Sequence, residues 1–267
     1  MDIPIIRGAG LKAHSPEAIE SEKYESGSAD EDARAVAGSH EEPWLNVLEQ
    51  FEPGSPPALD YVIAHPELGP RVRGKVVDFG AGTCWVTARL SRLASIDEVV
   101  ALDLSERFMT TVGARIIQQT GGNASKIRFA VSSFNETPFS DGSFDCGFYV
   151  ASLHHSVSPI VSLMEARRIL KPGGAIILIE TAVSLREIEA VRRQAIEESR
   201  TTCTTEMRYT RGEWQYLLEH AGFSDVRVDV LDVLTRRRPV LLARRLLRRF
   251  DLERLIFTNL VVISARS

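Results

Sequence analysis

The sequence predicts an α/β fold, a mostly parallel sheet covered by helices on both faces, and three observations carry that expectation. A buried-strand pattern runs into a glycine-bearing turn and then a helix over Lys75-Val-Val-Asp-Phe-Gly-Ala-Gly-Thr-Cys-Trp-Val-Thr87. A second apolar strand, Glu98-Val-Val-Ala-Leu-Asp103, follows after a spacer of helix length and again ends in a carboxylate. Short apolar strands then keep alternating with helical patterns, which is how βαβ units read in sequence.

Size and composition agree. The 267 residues, 44% hydrophobic and 25% charged, suit one α/β domain with additions. A net charge of −4 offers no general attraction to nucleic acid, and none is expected as a partner. Cys84, Cys146 and Cys203 show neither close pairing nor metal-ligand spacing, so a reduced, cytoplasmic setting is expected and nothing points to a metal. No apolar run approaches the ~18–20 residues of a membrane span, and the N-terminus lacks a basic-then-apolar signal. Nothing in the sequence sets the oligomeric state.

In chain order, residues 1–42 are rich in Ser, Glu, Ala and Asp and have few large apolar groups. They read as a flexible or lightly docked tail, or as one that closes over a ligand around Tyr24 or His40. The domain proper is expected over 43–267, with a helical cap at 43–70. In that cap Trp44, Leu45, Leu48 and Phe51 share one helical face, Pro56 and Pro57 break the helix, and Ala58 to His65 forms another.

The core is expected over 74–182, opening on the strand at Val76 and Val77. Gly80 and Gly82 let the backbone turn sharply and approach a ligand without a Cβ in the way, and the following helix presents its unpaired N–H groups to that ligand. A dinucleotide fingerprint needs a third small residue where this chain has Trp85, which argues against NAD. A pyrophosphate gains nothing from the acidic strand end at Asp78, whereas a ligand with an amino group is attracted there, so an amino acid joined to a nucleoside fits both ends of the site. At these residues the chain resembles motif I, (D/E)-x-G-x-G-x-G, of the class I S-adenosylmethionine-dependent methyltransferases, with Cys84 replacing the last glycine. The resemblance implies a Rossmann-like, seven-stranded, mostly parallel sheet with an antiparallel strand 7. It also implies S-adenosyl-L-methionine as cofactor, held at Asp78, Gly80, Ala81 and Gly82.

Val86 to Leu93 is the first crossover helix. Asp103, at the end of strand 2 and roughly 20 positions past the glycines, is placed to accept both ribose hydroxyls, with Leu104 beside it. The other reading of Asp103, a helix N-cap, is better served by Ser105. Strand 3, Lys126 to Val131, leads to Pro138-Phe139-x-Asp141-x-Ser143-Phe144-Asp145, which is similar to the "LPFxDxSFD" segment of the ubiquinone/menaquinone-type branch, methyltransferase type 11. That branch usually takes the adenine amino group with an Asp where this chain has Ser133. Ser133 and a stacking Phe134 are the adenine contacts the resemblance implies.

Strand 4, Cys146 to Val150, ends in Ala151-Ser-Leu-His-His155, where the resemblance implies that Ala151 lines the cofactor site. His154 or His155 is the candidate base for the acceptor's proton, since a histidine titrates near neutrality; the alternative is a structural cap. The (N/D)-P-P-(Y/F) segment of enzymes that methylate base amines is absent here. A helix containing Leu163 to Leu170, a Gly173-Gly174 stop and strand 5 follow, closing on Glu180, which either touches substrate or is an internally satisfied carboxylate.

Substrate-side insertions are expected at 183–210 and 231–254. The first holds a charged helix, Ser184 to Arg200, and a polar lid, Thr201 to Thr210. A helix from Arg211 stopped by Gly222, strand 6 at Val226 to Val230 and strand 7 at Leu255 to Ala265 complete the chain. In Arg236 to Arg249, Arg244, Arg245, Arg248 and Arg249 share a face opposite Leu242, Leu246 and Leu247. It reads as a surface helix docked by its leucines, or as a weak contact to an anionic membrane or an acidic substrate. The function expected is methyl transfer to O, N or C of a small molecule. The rivals are a non-catalytic cofactor-binding module and a peripheral membrane quinone or lipid methyltransferase.

Overall fold

The computed structural model describes residues 3–8, 55–202, 206–231, 247–249, 252–256 and 258–267. The expected helix at Trp44 to Phe51, Tyr24, His40 and most of Arg236 to Arg249 lie outside them. Among the described residues no helix is long and apolar enough to cross a membrane.

The strands are β1 (Ile5–Arg7), β2 (Gly74–Phe79), β3 (Ile96–Asp103), β4 (Ile127–Val131), β5 (Phe144–Val150), β6 (Leu170–Ala182), β7 (Ser224–Leu231) and β8 (Asn259–Arg266). They form one sheet in the order β1-β4-β3-β2-β5-β6-β8-β7. Only the pairings of β8, with β6 and with β7, are antiparallel. The helices are α1 (Ser55–Ala64), α2 (Trp85–Ser91), α3, α4 (Pro159–Ile169), α5 (Ile188–Thr202), α6 (Arg211–His220) and the short α7 (Glu253–Ile256). α3 joins Glu106–Phe108 to Ala114–Gln119 through a wider π-type turn, Met109–Gly113.

The central strands are apolar at consecutive positions because both faces of the sheet are covered. Val76, Val99, Phe148 and Ile177 face one way, against Leu59 and Val62 of α1, Leu90 of α2 and Ile116 of α3. Their neighbours Val77, Val100, Tyr149 and Leu178 face the other way, against Leu163 and Ala166 of α4 and Trp214 and Leu218 of α6. Each such side chain contributes roughly 1.5–3 kcal/mol on burial.

Four expectations change. Among the described residues the sheet has eight strands, because residues 3–8 dock as an edge strand: Ile5 pairs with Phe129 and Arg7 with Val131. Ile3 is buried there, and Arg7 makes a forked ion pair with Glu106 at 2.9 and 2.6 Å. Pro4 sits just outside this edge, where its missing N–H costs nothing, and its carbonyl accepts from Phe129 N at 2.9 Å. The second helix of the cap starts before Ala58: Pro56 and Pro57 lie in the first turn of α1, where a proline's absent donor has no partner to lose. Gly173 and Gly174 do not cap α4, whose C-cap is Leu170 in extended conformation. They belong to the irregular start of β6, where Gly173 takes a φ of 75° and a Cβ on Gly174 would lie 2.8 Å from the Lys171 carbonyl oxygen. Strand 7 starts later than expected because Leu255 belongs to α7.

The chain passes from β2 outward to β3 and β4, then crosses to β5 on the other side of β2. In open parallel sheets ligands bind at such a switch, here beyond the carboxyl ends of β2 and β5.

Candidate functional site

The turn after β2 is tied to its neighbours on two sides. Gly80 N and Ala81 N donate to the Leu102 carbonyl at 2.8 and 3.0 Å, and Gly82 N donates to Asp103 Oδ2 at 2.8 Å. Gly80 has a φ of 67°, and a Cβ there would lie 2.7 Å from that of Ser152, so the position requires glycine. Ser152 closes the same gap chemically, its hydroxyl donating to the Phe79 carbonyl at 2.7 Å. Over Gly82 the space is open, since a Cβ would meet nothing nearer than the Gly80 carbonyl oxygen at 4.0 Å. Ala81 is buried.

Asp103 is half-buried at the end of β3 and accepts from Ser105 N at 3.1 Å as well as from Gly82. Ser105 supplies the N-cap of α3, its hydroxyl accepting from Phe108 N at 3.0 Å. Leu104, Ser133, Phe134 and Ala151 are half-buried around the same end of the sheet. The Ser133 hydroxyl accepts from Asn135 N at 3.1 Å. Phe134 sets its ring edge-on to Tyr149, centroids 5.7 Å apart.

Asp78 lies behind the turn rather than beside it. It is 1% exposed and accepts from the Thr87 hydroxyl at 2.6 Å. Burial raises its pKa to about 7 against the lowering effect of the Thr87 hydrogen bonds.

Beyond β5 the chain makes a tight turn through Ala151, at a φ of 49°, into the 3-10 turn Leu153–His155. Glu180, at the end of β6 and 1% exposed, organises this turn. Its Oε1 accepts from Ser152 N and Leu153 N at 3.1 and 2.8 Å, and its Oε2 lies 2.8 Å from His154 Nδ1. Of the two earlier readings of Glu180, the structure assigns the internally satisfied carboxylate. Burial lowers the His154 pKa, but the charge and hydrogen bond of Glu180 and the charge of Glu206 more than offset it, and the pKa is raised. The His154 and His155 rings lie 4.2 Å apart.

Glu206, Ser152 and Thr87 are the site residues that sequence reasoning missed. Glu206 arrives from the expected lid, placed when Met207 N donates to the His154 carbonyl at 2.9 Å. Its Oε2 is 3.8 Å from His154 Nε2 and its Oε1 3.4 Å from His155 Nδ1, and it pairs with Arg208. The available signal was a lone acidic residue in the polar stretch Thr201 to Thr210. The structure thus brings the glycine turn, latched to Asp103, next to the turn that carries the two histidines, the two joined through Ser152.

Residues 77–178 match a protein family described as a methyltransferase domain. Over 116 residues the chain is 31% identical to a ubiquinone/menaquinone biosynthesis C-methyltransferase of Pseudomonas putida, covering 42% of this chain and 43% of that protein. Over 126 residues it is 34% identical to a demethylmenaquinone methyltransferase of Clavibacter sepedonicus, covering 47% and 48%. The match thus spans less than half the length of these curated relatives. Among solved structures, a Burkholderia thailandensis 1,6-didemethyltoxoflavin N1-methyltransferase superposes with a TM-score of 0.59 at 21% identity, over 97% of this chain and 92% of that one. The geranyl diphosphate C-methyltransferase of Streptomyces coelicolor gives 0.64 at 16% identity, over 96% and 99%, a likeness of fold alone. The β2 turn, the strand order and the antiparallel β8 give the chain the fold of these solved methyltransferases, and its residues 77–178 match the methyltransferase domain family.

Proposed function

We propose that the chain transfers a methyl group from S-adenosyl-L-methionine to O, N or C of a small-molecule acceptor. The observation that carries the reading is the glycine turn latched to Asp103, joined through Ser152 to a turn whose histidine is held by a buried glutamate. The residues fit the cofactor: the space over Gly82 is open, and Asp103 keeps its carboxylate at the strand end where ribose hydroxyls are taken. In this reading Asp103 holds the ribose, Ser133 and Phe134 flank the adenine, and backbone from Gly80 to Gly82 lies along the amino-acid end, with Asp78 setting the local charge from behind. Bound there, S-adenosyl-L-methionine supplies an activated methyl group as a sulfonium.

What the protein adds is alignment and one proton transfer. Binding both reactants at this end of the sheet makes the displacement effectively unimolecular. Glu180 accepts the Nδ1 proton of neutral His154, which leaves the Nε2 lone pair to take a proton from the acceptor's O–H, N–H or C–H. The relatives' names make quinol-type rings the first acceptors to try. The test is transfer of isotope-labelled methyl groups to a panel of small acceptors by the parent and by His154→Gln. Turnover reduced about 10²–10⁴-fold in the variant supports the reading. Cofactor binding without transfer to any acceptor favours a non-catalytic binding module instead.

A further inference from the structure

We infer that His154, His155 and Glu206 form a binding site for one divalent transition-metal ion on the acceptor side of the proposed site. Each of the three offers one ligand atom, and these atoms all lie within 4.8 Å of one another. The spacing suits a central ion better than direct bonds. Glu206 reaches the two rings at 3.4 and 3.8 Å, long for charged hydrogen bonds. Ligands about 2.1 Å from a tetrahedral ion stand about 3.4 Å from each other.

The surroundings match what a metal site needs. The buried Glu180 pairs with His154 Nδ1 at 2.8 Å and thereby points Nε2 outward, the carboxylate–histidine arrangement that fixes tautomer and ring orientation in metalloproteins. Glu180 is itself fixed by two backbone N–H groups, so the orientation is built into β6 and the turn. Arg208 pairs with Glu206 and restrains the third ligand, while its positive charge tempers the affinity. Two imidazoles and one carboxylate select Zn²⁺, Mn²⁺, Fe²⁺ or Co²⁺ over the oxygen-seeking Mg²⁺ and Ca²⁺. Three protein ligands leave coordination positions open.

The ion's role, though not its binding, rests on the methyl-transfer reading. An acceptor hydroxyl on the open position would lose its proton to water as it coordinates, and its oxygen would be held for attack on the methyl group. Metal and proton then compete for the same Nε2 lone pair, so His154 serves as ligand in the loaded protein and as base in the unloaded one.

The test is calorimetric titration of the chelator-stripped full chain with Zn²⁺ alone, then Mn²⁺, with Mg²⁺ as the control. Expected are one Zn²⁺ per chain with micromolar or tighter affinity and no measurable Mg²⁺ binding. His155→Gln and Glu206→Gln should each weaken Zn²⁺ at least tenfold, and Glu180→Gln 10–100-fold without removing a ligand. Glu206→Gln lies in a loop, and melting temperature confirms that each variant is folded. No Zn²⁺ binding by the parent, or binding unchanged in both His155→Gln and Glu206→Gln, overturns the site. Because Zn²⁺ is titrated without cofactor, failure to bind S-adenosylmethionine would sink the methyl-transfer reading and leave this result standing.

Discussion

Cys84 stands where the fold's turn motif has its last glycine, and its φ of 58° shows why glycine suits the position. Room for the thiol comes from α3, where a Cβ on Gly113 would lie 2.7 Å from the Cys84 sulfur. The two residues are therefore coupled. Gly113→Ala should cost about 1–3 kcal/mol by overpacking, and the penalty should largely vanish in a Cys84→Ala background. Urea unfolding of the four proteins of this cycle measures the coupling, and independent effects would refute it. Asp78 makes a second prediction. Its pKa of about 7 lies above the ordinary carboxylate value, so the native state binds the proton more tightly than the unfolded chain. Its contribution to stability is best at low pH and is lost as pH rises from about 4 to about 7. Asp78→Asn should remove that slope and gain roughly 4 kcal/mol over the parent at pH 8 relative to pH 4. Equal pH dependence in the two proteins would show that Asp78 is not held in this way.

At the scale of elements, the His154 turn is governed by β6. Raised by Glu180, the His154 pKa puts the rising limb of a base-dependent rate above pH 6.5, because only the neutral ring accepts a proton. Glu180→Gln removes the charge, so the limb should move to lower pH while the maximal rate falls with the lost orientation. A pH–rate profile reads both, and an unmoved limb would separate Glu180 from His154 titration. The edge strand β1 gives another test: Ile3→Ala should destabilise by about 2–5 kcal/mol if residues 3–8 are held as described. An unchanged urea midpoint would show them to be merely draped. β2, β3, β5 and β6 were legible in the sequence because burial on two faces writes itself as consecutive apolar residues. β1 was not, since Ile5–Arg7 is three residues long, follows a proline and acquires its meaning only from β4. The π-type turn of α3, which ends at Gly113 against Cys84, leaves no periodic trace.

For the whole molecule, the proposed site lies where the strand order switches, beyond the carboxyl ends of β2 and β5. Asp103, the glycines and His154 could be named as candidates from sequence because each ends or closely follows a legible strand. Glu206 could not, because it reaches the histidines through a loop contact to the His154 carbonyl that no local pattern encodes. Asp78 was legible as a strand end, but its burial behind the turn follows from Thr87 one helical turn into α2. The central claim is that the Gly80 to Gly82 turn and Asp103 make one cofactor site, and calorimetric titration with S-adenosylmethionine and S-adenosylhomocysteine tests it most directly. The parent should bind both in the micromolar range, and Asp103→Asn should bind about 10–100-fold more weakly while remaining folded, for loss of charged hydrogen bonds worth roughly 1.5–3 kcal/mol. A folded parent that binds neither, or an Asp103→Asn variant that binds as the parent does, would contradict it.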